Sequence, residues 1–366
     1  MLIQSETPRA FGALHALKTL VQANGGYIHP SCHVHHQGDR LWISCPEHAL
    51  NATLMEIPDA LFIPASSLHW YALDDALHFT DPESLLTPVQ TALATAMCEL
   101  YNATDKFRSV ALRLPEQCLH SDSALQDWFS ANRPQLKVSS ASAAENFIQT
   151  RLYKKANAQP EQERIGYLMP LMDLMNHHPN ARPYSQQQNG AWRVLAEHAQ
   201  PGSLECFLQY NTLDCMAQAF WHGYCETHCL QLTALQGVFA HELFSHIAFR
   251  IRQGKQGPVN FPRIIPDDHS LIFEDLVLAK ESFPAQRTMI ALAIRSKQRQ
   301  LNQADAENIA GAVLLQIVGW NTAKYRELAD ICLKDTDAFP LRRLFGAVAQ
   351  HQLQLLQGFH DHLLML

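Results

Sequence analysis

No run of about 18 apolar residues occurs anywhere in this 366-residue chain, so a membrane-spanning helix is not expected. An excess of positive charge is also lacking. Lys and Arg number 28 against 35 Asp and Glu, a formal charge of −7, and the basic residues are scattered, so no nucleic-acid partner is expected. The opening MLIQSETPRAFGALHAL has no basic stretch ahead of an apolar core, and the nine cysteines are odd in number and irregularly spaced. Both observations read as reduced thiols in a cytoplasmic protein rather than an exported, disulfide-stapled one. No 20- to 50-residue repeat, phosphate loop, Gly-x-Ser-x-Gly elbow or His-Glu-x-x-His pair occurs, which removes solenoids and the commonest kinase, hydrolase and metalloprotease readings.

The chain does hold enough apolar residues, 47% of the total, for one large core or two moderate ones. Phe11, Leu14, Leu17, Leu20 and Val21 recur at helical spacing over residues 7 to 23, and Asn24-Gly25-Gly26 predicts a left-handed stop. From Tyr27 to about Ser67 short apolar runs broken by His29-Pro30, Gly38-Asp39, Cys45-Pro46, Ile57-Pro58 and Ile63-Pro64 predict short irregular strands. Helical patterns return at 83–101 and 141–156, and strand-like pieces at 192–195 and 206–210. Leu230, Leu232, Leu235, Val238, Phe239, Leu243, Phe244, Ile247 and Ile251 then predict a long amphipathic helix, with two more at 305–320 and 341–359. The fold class is therefore α+β: a mixed domain over 1–228, with a helical insert at about 80–160, followed by an all-helical lobe over 229–366.

Two histidine and cysteine clusters bear on metal binding. His33 and His35 would share one side of a strand, beside His29 and His36, but no carboxylate or cysteine completes a ligand set, and a chain with 20 histidines gathers some by chance. Cys225, His228 and Cys229 would share a helical face without a fourth ligand and read as core thiols. No metal is expected.

Four segments in one order carry a family resemblance. They are Gly25-Gly26-Tyr27-Ile28-His29-Pro30; Leu54-Met55-Glu56-Ile57-Pro58 through Ile63-Pro64; Tyr167-Leu168-Met169-Pro170-Leu171-Met172-Asp173-Leu174-Met175-Asn176-His177, preceded by Thr150-Arg151; and Pro201-Gly202-Ser203-Leu204-Glu205-Cys206-Phe207-Leu208-Gln209-Tyr210-Asn211, followed by Trp221-His222-Gly223-Tyr224. In this order they resemble the SET-domain methyltransferases typified by the RuBisCO large-subunit lysine methyltransferase and the actin-histidine methyltransferase. The resemblance implies a SET domain of short irregular sheets, a helical substrate-binding lobe, S-adenosylmethionine as methyl donor and a lysine or histidine side chain of a protein substrate as acceptor. It implies Tyr210 as the catalytic hydroxyl and Arg40, Asn176, His177 and Tyr210 as cofactor contacts, while Asp173 reads as a structural carboxylate. The chain departs from the family pattern in three places. Gly38-Asp39-Arg40-Leu41-Trp42 stands where the family has Gly-x-Gly, Asp214-Cys215 where it has Ser-Asn, and His222 where many lysine methylators have tyrosine. The expected function is protein N-methyl transfer; the alternative is a SET scaffold that has lost it and serves as a protein-binding module or acts on a small molecule through His177, His222 or Tyr210.

Overall fold

The computed structural model describes residues 1–111, 113–154, 165–198, 203–210, 213–242, 248–252, 262–334, 339 and 341–366. In chain order the first elements are β1 (Leu2–Ser5), α1 (Pro8–Ala23), β2 (Tyr27–Ile28), β3 (His33–Gln37), β4 (Arg40–Ser44), β5 (Thr53–Pro58), β6 (His69–Leu73) and β7 (Ala76–Thr80). Then come α2 (Pro88–Ala103), α3 (Lys106–Ala111), α4 (Pro115–Cys118), α5 (Ser123–Asn132), α6 (Ala143–Gln149), β8 (Tyr153–Lys154), β9 (Gly166–Tyr167), β10 (Asn176–His177), β11 (Ser185–Gln186), β12 (Ala191–Leu195) and β13 (Phe207–Leu208). The remainder is α7 (Cys215–His222), β14 (Leu232–Thr233), β15 (Gly237–Phe239), β16 (Ala248–Arg252), β17 (Arg263–Asp267), β18 (Ser270–Glu274), β19 (Val277–Leu278), α8 (Phe283–Lys297), α9 (Gln303–Cys332) and α10 (Leu341–Met365). The α+β class and the C-terminal helical stretch are as expected.

Two compact units result. The first comprises Met1–Gln117 and Ser139–Asn211, the second Cys118–Val138 and Thr212–Leu366. Residues 118–138 of the expected insert, and 212–228 of the expected first domain, thus fold with the second unit.

In the first unit, α1 begins where the Thr7 hydroxyl accepts from the Ala10 N–H, a cap with Pro8 at the first turn. It buries Ala10, Ala13, Leu14, Leu17 and Val21 against α2, while Phe11, read from the same spacing, is exposed. It stops as predicted: Gly25 has φ +85, and the Gly26 N–H returns to the Val21 carbonyl at 2.9 Å. A Cβ on Gly26 would lie 2.4 Å from the Val21 side chain, so both glycines are required there. The strands make a three-stranded sheet β1-β3-β4, a four-stranded sheet β11-β12-β5-β2 and the two-stranded pairs β6-β7, β8-β9 and β10-β13; β2 to β5 fall in the predicted strand stretch, β1, β6 and β7 outside it, and β8 in a stretch read as helix, where α6 ends at Gln149. Leu54, Met55 and Ile57 of the central β5 are fully buried, which explains its near-continuous apolar run.

In the second unit, α9 and α10 pack lengthwise, and the stripe Val313, Leu314, Ile317 and Val318 lies fully buried opposite Phe345, Val348 and Ala349 in one core. One expectation is corrected here. The segment read as a helix from Leu230 to Ile251 holds no α-helix among its described residues and contributes three short strands: β14 pairs with β19, and β15-β16-β18-β17 form a four-stranded sheet, so the lobe is not all-helical. The physical reason is pairing. Phe249 and Ile251 alternate inward on β16 and are matched by Leu271 and Phe273 on the parallel neighbour β18, a period of two that the helix-spaced apolar residues upstream masked. Leu243, Phe244 and Ile247 of that reading lie outside the described residues.

Candidate active site

The motif Met169 to His177 enters the first unit through a tight reversal. Leu171 sits at φ +63, ψ −39, and the Met172 N–H reaches back to the Pro170 carbonyl at 2.8 Å, a three-residue γ-turn of positive φ. A buried leucine in that conformation costs about 1–3 kcal/mol, so packing on both sides must hold it. The turn aims Asp173 inward. Its carboxylate accepts a short hydrogen bond from the Tyr101 hydroxyl and lies 3.6 Å from Arg151 Nε, whose guanidinium stacks 4.0 Å from the Phe147 ring centroid. Burial pushes Asp173 up to about 6, against the opposing pull of Arg151 and the Tyr101 hydrogen bond. The Asp173 carboxylate thus meets two side chains, Tyr101 and Arg151. Burial likewise brings Lys106 down to about 8; Arg151 and Arg40 lower it further while Asp39 and Asp173 raise it.

Past the turn, β10 runs parallel to β13, with Asn176 opposite Phe207 and His177 opposite Leu208. Asn176 Nδ2 donates to Glu205 Oε1 at 2.7 Å and to the Leu41 carbonyl at 3.4 Å, tying three sequence-distant segments together. The Tyr210 N–H donates to His177 Nδ1 at 3.1 Å, which puts the ring proton on Nε2, and the two rings lie 5.4 Å apart. The Tyr210 hydroxyl donates a short hydrogen bond to the Met175 carbonyl. Three sequence-predicted positions, Asn176, His177 and Tyr210, therefore lie together, and of the β4 strand the Leu41 carbonyl meets Asn176.

Gly38 and Asp39 form the two-residue turn of the β3–β4 hairpin, with Gln37 paired to Arg40. Gly38 has φ +59 at the first turn position, where a type II′ hairpin takes glycine. Arg40 is exposed, with its guanidinium 5.2 Å from the Trp42 ring centroid; Leu41 turns its side chain into the core.

The histidines of β3 are used in packing. His35 stacks on Trp42 at 4.9 Å with an interplanar angle of 9° and meets Ser44 Oγ at 2.7 Å. The expected helical face of Cys225, His228 and Cys229 is corrected: α7 ends at His222, Gly223 caps it at φ +77, and the cysteines follow in irregular chain, Cys225 lying 3.5 Å from Cys215. Asp214 caps α7 through the Ala217 N–H at 2.9 Å and pairs with Arg133 at 2.6 Å, so its carboxylate has a structural place in the second unit. His222 belongs to that unit as well. Asn211, Pro201 and Gly202 lie outside the described residues. Sequence reading missed Glu205, Tyr101 and Lys106, and a trio, Cys45, His198 and Cys206, whose ligand atoms all lie within 4.8 Å of one another.

No protein-family model matches this chain, and no curated protein sequence does. Among solved structures it is similar to a SET domain of LSMT bound to lysine and AdoHcy, 12% identical over 98% of this chain and 92% of that one, with a TM-score of 0.45. It is also similar to Rubisco LSMT bound to sinefungin and monomethyllysine (12% identity, 98% and 92% coverage, TM-score 0.42) and to Rubisco LSMT bound to AdoMet (11%, 96% and 92%, 0.42).

Proposed function

We propose that the first unit is a SET-type domain that transfers a methyl group from S-adenosylmethionine to a lysine or histidine side chain of a protein. The observation that carries this reading is the convergence on Asn176, whose amide joins the Leu41 strand to Glu205 while Tyr210, one residue-pair away, presents its hydroxyl at the Met175 carbonyl. The donor set suits the cofactor: an exposed cation at Arg40 for its carboxylate, an amide at Asn176, and the Trp42, His177 and Tyr210 rings for a nucleoside and a sulfonium. When bound, the cofactor supplies an electrophilic methyl, and displacement needs an uncharged nitrogen held about 3 Å away in line.

Positioning is then the work of this chain. A phenol whose proton is given to the Met175 carbonyl can still accept at oxygen, so Tyr210 would take a hydrogen bond from the acceptor nitrogen and orient its lone pair. His177 holds the Tyr210 backbone through Nδ1 and so fixes where the ring stands. Titrating the purified chain calorimetrically with S-adenosylmethionine and its demethylated product tests the reading; absence of heat at high micromolar ligand, from a folded sample, would overturn it.

A second reading, a SET scaffold serving as a protein-binding module, is favoured by Arg40 standing where the family has glycine and by the Asn176 amide being committed to Glu205 and Leu41. A partner captured by the intact chain, with no methyl gain detected by mass spectrometry, would select it.

A further inference from the structure

Cys45 and Cys206 are 161 residues apart, yet the fold sets them side by side. Residues 43–45 at the end of β4 bridge antiparallel to 204–206: Ser44 faces Glu205, the Cys45 N–H donates to the Leu204 carbonyl at 3.1 Å, and the Cys206 N–H donates to the Ile43 carbonyl at 2.8 Å. With that register Cys45 and Cys206 are diagonal neighbours on one face, and their sulfurs meet at 3.2 Å. His198, three residues beyond the end of β12, brings Nε2 to 3.6 Å from Cys45 Sγ. Both cysteines are buried and His198 is half-buried, so the trio has one solvent-facing side.

We propose that Cys45, His198 and Cys206 form a site for a zinc-class divalent cation, with Cys45 Sγ, Cys206 Sγ and His198 Nε2 as three ligands and water as the fourth. Tetrahedral zinc with bonds of about 2.3 Å to sulfur and 2.0 Å to nitrogen requires about 3.5 Å between sulfur and nitrogen and about 3.8 Å between sulfurs. The first spacing is already present at 3.6 Å for Cys45, with Cys206 Sγ within 4.8 Å of the His198 ligand nitrogen, and the second needs the 3.2 Å sulfur pair to part by roughly half an ångström. A disulfide would instead draw the sulfurs together and would give the imidazole no task. Two thiolates neutralise a divalent cation, which suits a site with two buried ligands. Binding breaks two S–H bonds and releases both protons to solvent; the Nε2 proton, now given to the Cys45 carbonyl at 2.9 Å, moves to Nδ1. The Glu197 backbone N–H, which hydrogen-bonds the Cys206 sulfur, would support the thiolate from outside the ligand set.

The test uses the full chain, kept reduced and stripped of metal, with Co²⁺ as the probe. One equivalent should produce a thiolate-to-cobalt charge-transfer band, displaced by Zn²⁺, that falls by about half in Cys45→Ser and in Cys206→Ser and weakens in His198→Gln. Cys215→Ser, at the other close cysteine pair, should leave the band unchanged. A wild-type band that is absent, that survives both serine substitutions, or that vanishes with Cys215→Ser overturns the proposal. A second measurement needs no variant: Zn²⁺ should slow alkylation of Cys45 and Cys206 roughly tenfold in the wild-type chain, read by peptide mass spectrometry, and equal rates with and without the metal count against the site.

Discussion

Replacing Asp214 by Asn keeps a side chain that caps helices well but removes the charge that faces Arg133 and the oxygen that accepts from the Thr233 N–H at 2.8 Å. Both residues are 1% exposed, and Arg133 Nη2 reaches Asp214 Oδ2 at 2.6 Å and the Tyr325 hydroxyl at 3.2 Å. Asparagine would retain the Ala217 N–H bond of the α7 cap but leave the guanidinium buried beside neutral partners. Breaking a buried pair in this way costs about 3–5 kcal/mol. With a urea slope of about 2–3 kcal/mol/M, the unfolding midpoint of the second unit should fall by roughly 1–2 M at pH 7, followed by circular dichroism and tryptophan fluorescence. Arg133→Met added to Asp214→Asn should recover at least half of the loss, because it removes the orphaned charge. The pH dependence has a definite sign. Burial raises the Asp214 carboxyl, but Arg133 and the N–H groups of Ala217 and Thr233 outweigh it and hold the group below its ordinary value. Its contribution is therefore complete above the unfolded-state value and disappears only as pH falls through the lower folded-state one, so wild type and variant should converge in acid alone. A loss below about 1 kcal/mol at pH 7 would refute the account of this pair as a structural anchor.

Glu116 behaves oppositely. Burial pushes its carboxyl up to about 7, and Oε1 has no hydrogen-bond partner among the described residues, so the wild type should lose on the order of 1–2 kcal/mol between pH 4.5 and 7.5, a slope that Glu116→Gln should flatten in pH-dependent urea melts. If methyl transfer is the activity, Tyr210→Phe should lower kcat about 10- to 100-fold while calorimetric affinity for S-adenosylmethionine changes less than about threefold; equal loss in both would contradict a role confined to the acceptor nitrogen. Gly38→Ala should cost about 1 kcal/mol in thermal or urea unfolding through its φ of +59 alone, since a Cβ there meets nothing within 4 Å. An undiminished stability would mean that the turn relaxes.

Local chemistry was readable where it was decided locally. Thr7, Pro8 and the Asn24-Gly25-Gly26 stop delimit α1 without help from the rest of the chain, and the Pro and Gly punctuation between Tyr27 and Ser67 announces short strands. The helix expected at 230–251 failed because its apolar residues answer to partners on β18 and β19, which no spacing within the segment reveals. Asn176, His177 and Tyr210 were legible through an ordered set of motifs and lie together in the fold, whereas the Arg40 side chain, from a stretch that departs from the family pattern, lies over Trp42. Glu205, the Tyr101–Asp173–Arg151 cluster and the Cys45–His198–Cys206 trio were not, since each rests on a side-chain contact across a long sequence gap: 29 positions from Asn176 to Glu205, 72 from Tyr101 to Asp173 and 161 from Cys45 to Cys206. Of the trio only Cys206 lies in a segment carrying a family motif.

The route of the chain between its two units has a consequence for synthesis. Residues 118–138 leave the ribosome well before 212–366, yet Arg133 depends on Asp214 and Tyr325, and Asp122 on Arg342 at 2.7 Å. The early segment must therefore wait, unsatisfied, on the nascent polypeptide until the last helix is made. Neither unit can be cut from the gene as one uninterrupted piece, and a truncation anywhere before Arg342 strands partners already translated.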